Sequence, residues 1–200
     1  MVLVGWARDL YVGLFAWLER LAADWLLGLA ARFAFLAVLY FYFLASWKTK
    51  TGPGLLGAFR IEDNAYYQIV PWAVEAAGGD IAELGLASHL IVFAGTMAEL
   101  ILPALIVAGL FTRAAALGMI VFVIVQSWVD IRFHGVDAQT AGAWFDRFSD
   151  SLIADQRLLW GFLLLFLAVK GAGAVSLDHL LKLNPAERHG EADKMTRHNK

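Results

Sequence analysis

The sequence predicts an all-α membrane protein, an antiparallel four-transmembrane-helix bundle with an N-terminal interfacial amphipathic helix. Two observations carry that prediction. Hydrophobic residues make up 60% of the chain and charged residues 17%, with a mean hydropathy of +0.63; an ordinary soluble domain has about 45–50% apolar and ~25% charged residues. Several apolar runs are also long enough, at about 1.5 Å per helical residue, to cross the ~30 Å hydrocarbon core of a bilayer.

Composition also limits the chemistry. The net charge of −2 and the lack of a basic patch give no reason to expect a nucleic-acid partner. The chain has no cysteine, which excludes disulfides, iron–sulfur clusters and thiolate metal sites within it. His89 and His134 come without ligand spacing or a third partner. No haem, flavin or metal is therefore expected in this chain.

Residues 1–27 read as the interfacial helix. Trp6, Leu10, Leu14, Trp17, Leu21 and Trp25 recur at helical spacing on one broad face, which suits a helix lying at headgroup depth. Arg8, Asp9, Glu19, Arg20 and Asp24 would all be buried if this segment spanned the membrane. They also interrupt any apolar core of a cleavable leader.

Residues 28–181 hold the four spans. The first runs from Gly28 to Trp47, with Arg32 near its start and Lys48 and Lys50 at its end, where long side chains can snorkel. Its outer half carries the aromatic run Tyr40 to Phe43, read as lipid-facing and packing surface. Residues 49–84, with Gly52-Pro53-Gly54 and Glu62-Asp63-Asn64, are a non-spanning loop. Within it, Tyr66 to Ala77 reads as a short amphipathic helix ended by Gly78-Gly79. The second span is Gly85 to Phe111, and a turn at Thr112-Arg113 leads into the third, Ala114 to about Trp128. Residues 130–156 are polar and acidic, again non-spanning. The fourth span is Leu158 to Val169, extended to Ile153–Ala172. Residues 182–200 read as a flexible, charged cytoplasmic tail.

Basic residues set the expected orientation. The N-terminal segment, the Arg113 turn and the tail hold ten of the sixteen, and the two long loops hold six of them with ten of the eighteen acids. The positive-inside rule then places both termini in the cytoplasm of a bacterial inner membrane, with both long loops outside.

Glu99 is the first candidate functional residue. It lies about halfway along the second span, where an unpaired charge costs several kcal/mol. Pro103, four residues later, has no N–H to give the Glu99 carbonyl. Ser88, Val92, Gly95 and Glu99 share one helical stripe, and its small residues suit contact with other helices. A carboxyl held there suits proton exchange, or else pairs with a cation and locks the fold. Gln126, Asp130 and His134 are the second candidate set, stacked on one face if the third helix continues past Trp128. Near them in depth lie Trp128 and His89. The alternative is a solvated helix end with Asp130 and Arg132 paired to a loop. Arg113 reads as a lipid-phosphate anchor or a cap for the second helix. Arg32 could reach inward toward Glu99, but about 15 Å of helix height argues against a direct pair.

Glu99, then Gly109-Leu110-Phe111-Thr112-Arg113, an apolar helix, Gly171-Ala172-Gly173 and Ser176-Leu177-Asp178 together resemble the DoxX family of small four-helix membrane proteins. Arg32 entering the first span and Lys48 leaving it fit the same pattern. The resemblance implies a membrane subunit of a quinone-linked oxidoreductase, as in thiosulfate oxidation or oxidative-stress complexes. Quinone is then the expected ligand, held near the outer leaflet by His89, Asp130 and His134 with Glu99 as proton acceptor or structural acid. A soluble redox partner would supply the electrons. The alternatives are a small-solute permease gated by Glu99 and Pro103, for which four spans are few unless the chain forms a homodimer, and a non-catalytic membrane anchor or assembly factor.

Overall fold

The computed structural model describes residues 2–22 and 25–183. Residues 184–200, most of the expected tail, lie outside the described residues. Four helices are long and apolar enough to cross a membrane: α2 (Leu26–Lys48), α6 (Leu86–Ala108), α7 (Thr112–Arg132) and α9 (Leu152–Lys170). They follow α1 (Val2–Ala22) and are joined by the short helices α3 (Gly54–Gly57), α4 (Asp63–Ile69), α5 (Pro71–Ala76) and α8 (Ala138–Ala141), with α10 (Leu177–Leu180) after the last span. Among the described residues there is no strand, only an isolated antiparallel bridge between Thr51 and Ile61. The protein is an integral membrane protein of four spans.

The spans pack around one apolar core. Phe35, Leu39 and Phe43 of α2, Ile106 of α6, Met119 of α7 and Leu164 and Leu167 of α9 are completely buried there. The outward faces stay apolar, with Phe41, Ile101, Val121, Ile124 and Phe162 all exposed. Exposed apolar side chains over helices of this length need lipid rather than water around them. Along α1, Trp6, Leu10, Leu14, Trp17 and Leu21 are likewise exposed, so among the described residues nothing covers the face expected to meet the headgroups.

Several boundaries differ from the sequence reading for local reasons. The turn between α6 and α7 falls at Gly109–Phe111 rather than at Thr112-Arg113. Gly109 takes the left-handed conformation (φ 70°) and ends α6, and the Asp178 carboxylate accepts from the Phe111 and Thr112 N–H groups, so α7 begins at Thr112. The expected Tyr66–Ala77 helix is two helices, because Pro71 starts α5 and Val70 before it leaves the helical region. α2 carries a π-helical segment at Leu36–Tyr40, which no proline or glycine announces. α4 and α5 pack over the loop-side half of α6 through Ala65, Val70, Val74 and Val92.

Candidate functional site

α2 and α6 run antiparallel, and this brings the last turn of α2 level with Glu99. Ser46 donates to Glu99 Oε1 at 3.2 Å. Beyond Lys48 the chain turns at Thr49 and Lys50, and the Lys50 side chain folds back under the loop. Its ammonium lies 3.1 Å from Glu99 Oε1 and 3.0 Å from Oε2, with both side chains under 5% exposed. It also donates to the Ser46 hydroxyl at 2.7 Å and the Ser46 carbonyl at 3.2 Å. The sequence reading gave Lys48 and Lys50 the same snorkelling role, yet Lys48 is exposed and only Lys50 reaches the carboxylate. The turn at Thr49, just past the end of the helix, separates them. A buried carboxylate thus has the hydrogen-bonded cation that its burial requires.

A groove of about 610 Å³ between α6 and α7 runs from this pair toward the loop side. Tyr42, Ser46, Lys50, Gln68, Glu99, Gln126, Asp130 and His134 supply its polar groups, and Gly95, Ala98, Leu102, Gly118 and Phe122 line its apolar wall. Ile91, Val121 and Val125 also border it and are exposed on the lipid-facing surface. Two of the small residues lie close against neighbouring side chains. A Cβ on Gly118 would come within 3.1 Å of Leu102 Cδ1, and one on Gly95 within 3.3 Å of Ile69 Cδ1.

At the loop-side end Asp130 ties three elements together. His134 Nδ1 lies 3.0 Å from Asp130 Oδ1, and the Arg157 guanidinium donates to Oδ2 from the start of α9. Arg157 also donates to Ser127 Oγ at 3.0 Å. His134 Nε2 is 3.3 Å from the Tyr67 carbonyl, so each ring nitrogen faces an oxygen acceptor. Gln126 Nε2 donates to the Tyr42 hydroxyl at 3.1 Å, while its Oε1 is buried without a hydrogen-bond partner.

The structure therefore brings Glu99, Gln126, Asp130 and His134 to one groove and adds Lys50, Ser46 and Tyr42. It does not bring His89 or Trp128 there. His89 Nδ1 is 2.7 Å from the Tyr66 hydroxyl, a contact to α4 rather than to Asp130. Trp128, about 200° around α7 from Gln126, meets Trp72 and Phe133 edge-to-face at 5.6 and 5.1 Å. Asp130 pairs with Arg157 rather than Arg132, because Arg157 enters from the neighbouring span. Pro103 is buried within α6 one turn from Glu99, and the helix continues through it. Arg32 does not approach Glu99. It donates to the Ile106, Val107 and Val175 carbonyls, closing the end of α6. Arg113 reaches toward the Lys170 carbonyl at 3.5 Å, at the end of α9. Among the described residues no cluster of histidine and acidic residues has the grouping of a metal site.

A family model described as DoxX matches residues 65–130. That segment runs from within α4 to within α7 and so contains Glu99, Gln126 and Asp130 but neither Lys50 nor His134. It agrees with the family resemblance read from the sequence. Comparison with curated proteins and with solved structures returned no match.

Proposed function

Starting from a DoxX-type membrane domain with a polar groove between two spans, we propose that the protein is the membrane subunit of a quinone-linked oxidoreductase and that the groove takes the quinone. The observation that carries this reading is the convergence of two separate charged networks on one lipid-accessible groove. Its volume falls within the range of small-molecule sites, about 300–1,000 Å³. A quinone needs an apolar slot for its ring, polar partners for two oxygens, an opening to lipid for its tail and a proton path. Gly95, Ala98, Gly118 and Phe122 suit the slot, Tyr42 and Gln126 suit one ring oxygen, and the gap bordered by Ile91, Val121 and Val125 suits the tail. Glu99, hydrogen-bonded through Ser46 and Lys50, would exchange a proton at the deep end. Half-exposed His134 with Asp130 would connect the other end to water.

Reducing a quinone takes two electrons and two protons. The electrons would come from the reduced cofactor of a soluble oxidoreductase docked on the loops or tail, in a bacterial inner membrane with both termini cytoplasmic. Purification in mild detergent, followed by mass spectrometry of bound lipids and proteins, tests this. Quinone and a soluble oxidoreductase at stoichiometric levels are the expected result, and the absence of both would sink the reading. Glu99→Gln should retain the quinone but lose most quinone-reducing turnover. If turnover persists, the Lys50–Glu99 pair is a structural lock and the chain an anchor for its partner. Solute uptake into proteoliposomes that depends on Glu99 would instead make it a permease.

A further inference from the structure

We propose that Trp144, Phe145 and Phe148 form an aromatic hook seated at the boundary between headgroups and acyl chains, on the loop side of the bilayer. They belong to the segment 142–151 between α8 and α9, whose two ends meet: a Cβ on Gly142 would overlap the Ser151 hydroxyl. The segment is thus a closed surface loop with a projecting tip. All three rings are exposed, Phe145 fully, and a cluster of that kind marks a contact with something other than water. Depth identifies what it meets. The Trp144 indole N–H donates to the Ala154 carbonyl at 3.0 Å, which fastens the ring beside the first turn of α9. That span has 19 residues, about 28 Å of helix, so it has no length to spare against a hydrocarbon core of ~30 Å. Ala154 therefore lies at the membrane boundary and not above it. Leu152 is exposed at the same level, with Leu158, Leu159 and Phe162 exposed further along the span. A mostly exposed indole at that depth meets lipid.

The rest of the loop suits a shallow seat. Tryptophan belongs at this level because its body is apolar and its N–H is polar. Asp146 Oδ1 accepts from the Phe148 N–H at 2.8 Å and closes the tip, while the Arg147 guanidinium lies 4.9 Å over the Phe148 ring. The peptide groups of such a tip still need water or headgroup partners, which keeps it out of the hydrocarbon core. Asp146 and Asp150 outnumber Arg147, so apolar contact holds the hook and attraction to anionic lipid does not. The same end of α9 sends Arg157 to Asp130, so the hook sets the height of that ion pair in the leaflet. It also removes this loop from the surface open to a soluble partner. None of this depends on the quinone reading.

The test uses the full-length protein in phosphatidylcholine nanodiscs, and the lack of native cysteine allows single-site labelling. Phe145→Cys and Phe148→Cys, each carrying an environment-sensitive nitrobenzoxadiazole dye, report on the hook. Phe162→Cys, near the middle of α9 and exposed, gives the reading of a site known to face the acyl chains. At 145 and 148 the emission should be blue-shifted from that of the free adduct in buffer. Nitroxide lipids labelled close to the headgroup should quench it more than aqueous iodide or lipids labelled at the chain end. Exchange of phosphatidylcholine for phosphatidylglycerol should leave the depth unchanged. Emission matching the free adduct and strong iodide quenching at both positions, with Phe162→Cys still reading lipid, would overturn the hook. If both dyes read water until a soluble oxidoreductase is added, the tip is a protein-docking site and the hook is again overturned.

Discussion

Lys50 is the residue on which the groove depends. Its ammonium and the Glu99 carboxylate lie 3.0 Å apart with almost no exposure, and each is the reason the other can be charged there. Removing one member of such a pair leaves an uncompensated buried charge and typically costs about 3–5 kcal/mol, whereas replacing both by apolar side chains is often close to neutral. Lys50→Met should therefore lower the thermal stability of the detergent-solubilised protein much more than Lys50→Met combined with Glu99→Met. Equal losses in the two variants would show that the pair does not hold the loop to the bundle. A second residue-scale contact lies outside the spans. Desolvation first, and the Asp63 carboxylate second, hold the Tyr66 hydroxyl above its ordinary value of 10.0. A raised acid of this kind contributes its stability fully below its unfolded pKa and loses it as pH rises through the folded one. The Tyr66–His89 contact should thus persist to pH 10 and weaken only in more alkaline solution. Ultraviolet titration of tyrosinate against Tyr66→Phe measures this, and a Tyr66 signal titrating below 10 would contradict it.

Among the elements, the α6–α7 turn has little room for change. Gly109 has φ 70°, and a Cβ there would lie 2.7 Å from Ser176 Cβ and 2.8 Å from Arg32 Cζ. Gly109→Ala is therefore expected to destabilise by more than about 1 kcal/mol, through backbone strain and through displacement of the Arg32 cap. An unchanged melting temperature would remove the turn from the account. Much at this scale was legible in the sequence. All four spans, the non-spanning loops and the face carrying Val92 and Glu99 follow from length, hydropathy and helical periodicity. What could not be read depends on where the chain goes after a helix ends. Lys50 and not Lys48 meets Glu99 because of the turn at Thr49 and the Thr51–Ile61 bridge beyond it. His89 is taken by Tyr66 from a loop helix whose position no periodicity encodes. The π-helical segment of α2 leaves no mark in composition. Asp130 and His134 were found because i, i+4 spacing is local, whereas their partner Arg157 comes from another span.

Across the whole molecule, the bundle has two unlike ends. At one, Arg32, Asp178 and the Gly109 turn join α2, α6, α7 and the segment after α9. At the other, the two long loops between the spans carry eight acids, and their Lys50 and His134 meet Glu99 and Asp130. The absence of native cysteine makes the orientation easy to measure. With single cysteines introduced by Gln139→Cys and Val175→Cys, an impermeant maleimide should label residue 139 in intact bacterial cells and residue 175 only after lysis. The reverse pattern would invert the topology and place the His134 end in the cytoplasm.

The groove between α6 and α7 as the quinone site is the central claim, and photoaffinity labelling tests it most directly. A photoreactive short-chain quinone would be irradiated with the protein in nanodiscs and the adducts mapped by peptide mass spectrometry. Adducts confined to residues 91–102 and 118–130, and displaced by excess unlabelled quinone, are the expected result. Label spread over α1 and the outer faces of α2 and α9, indifferent to competitor, would contradict it.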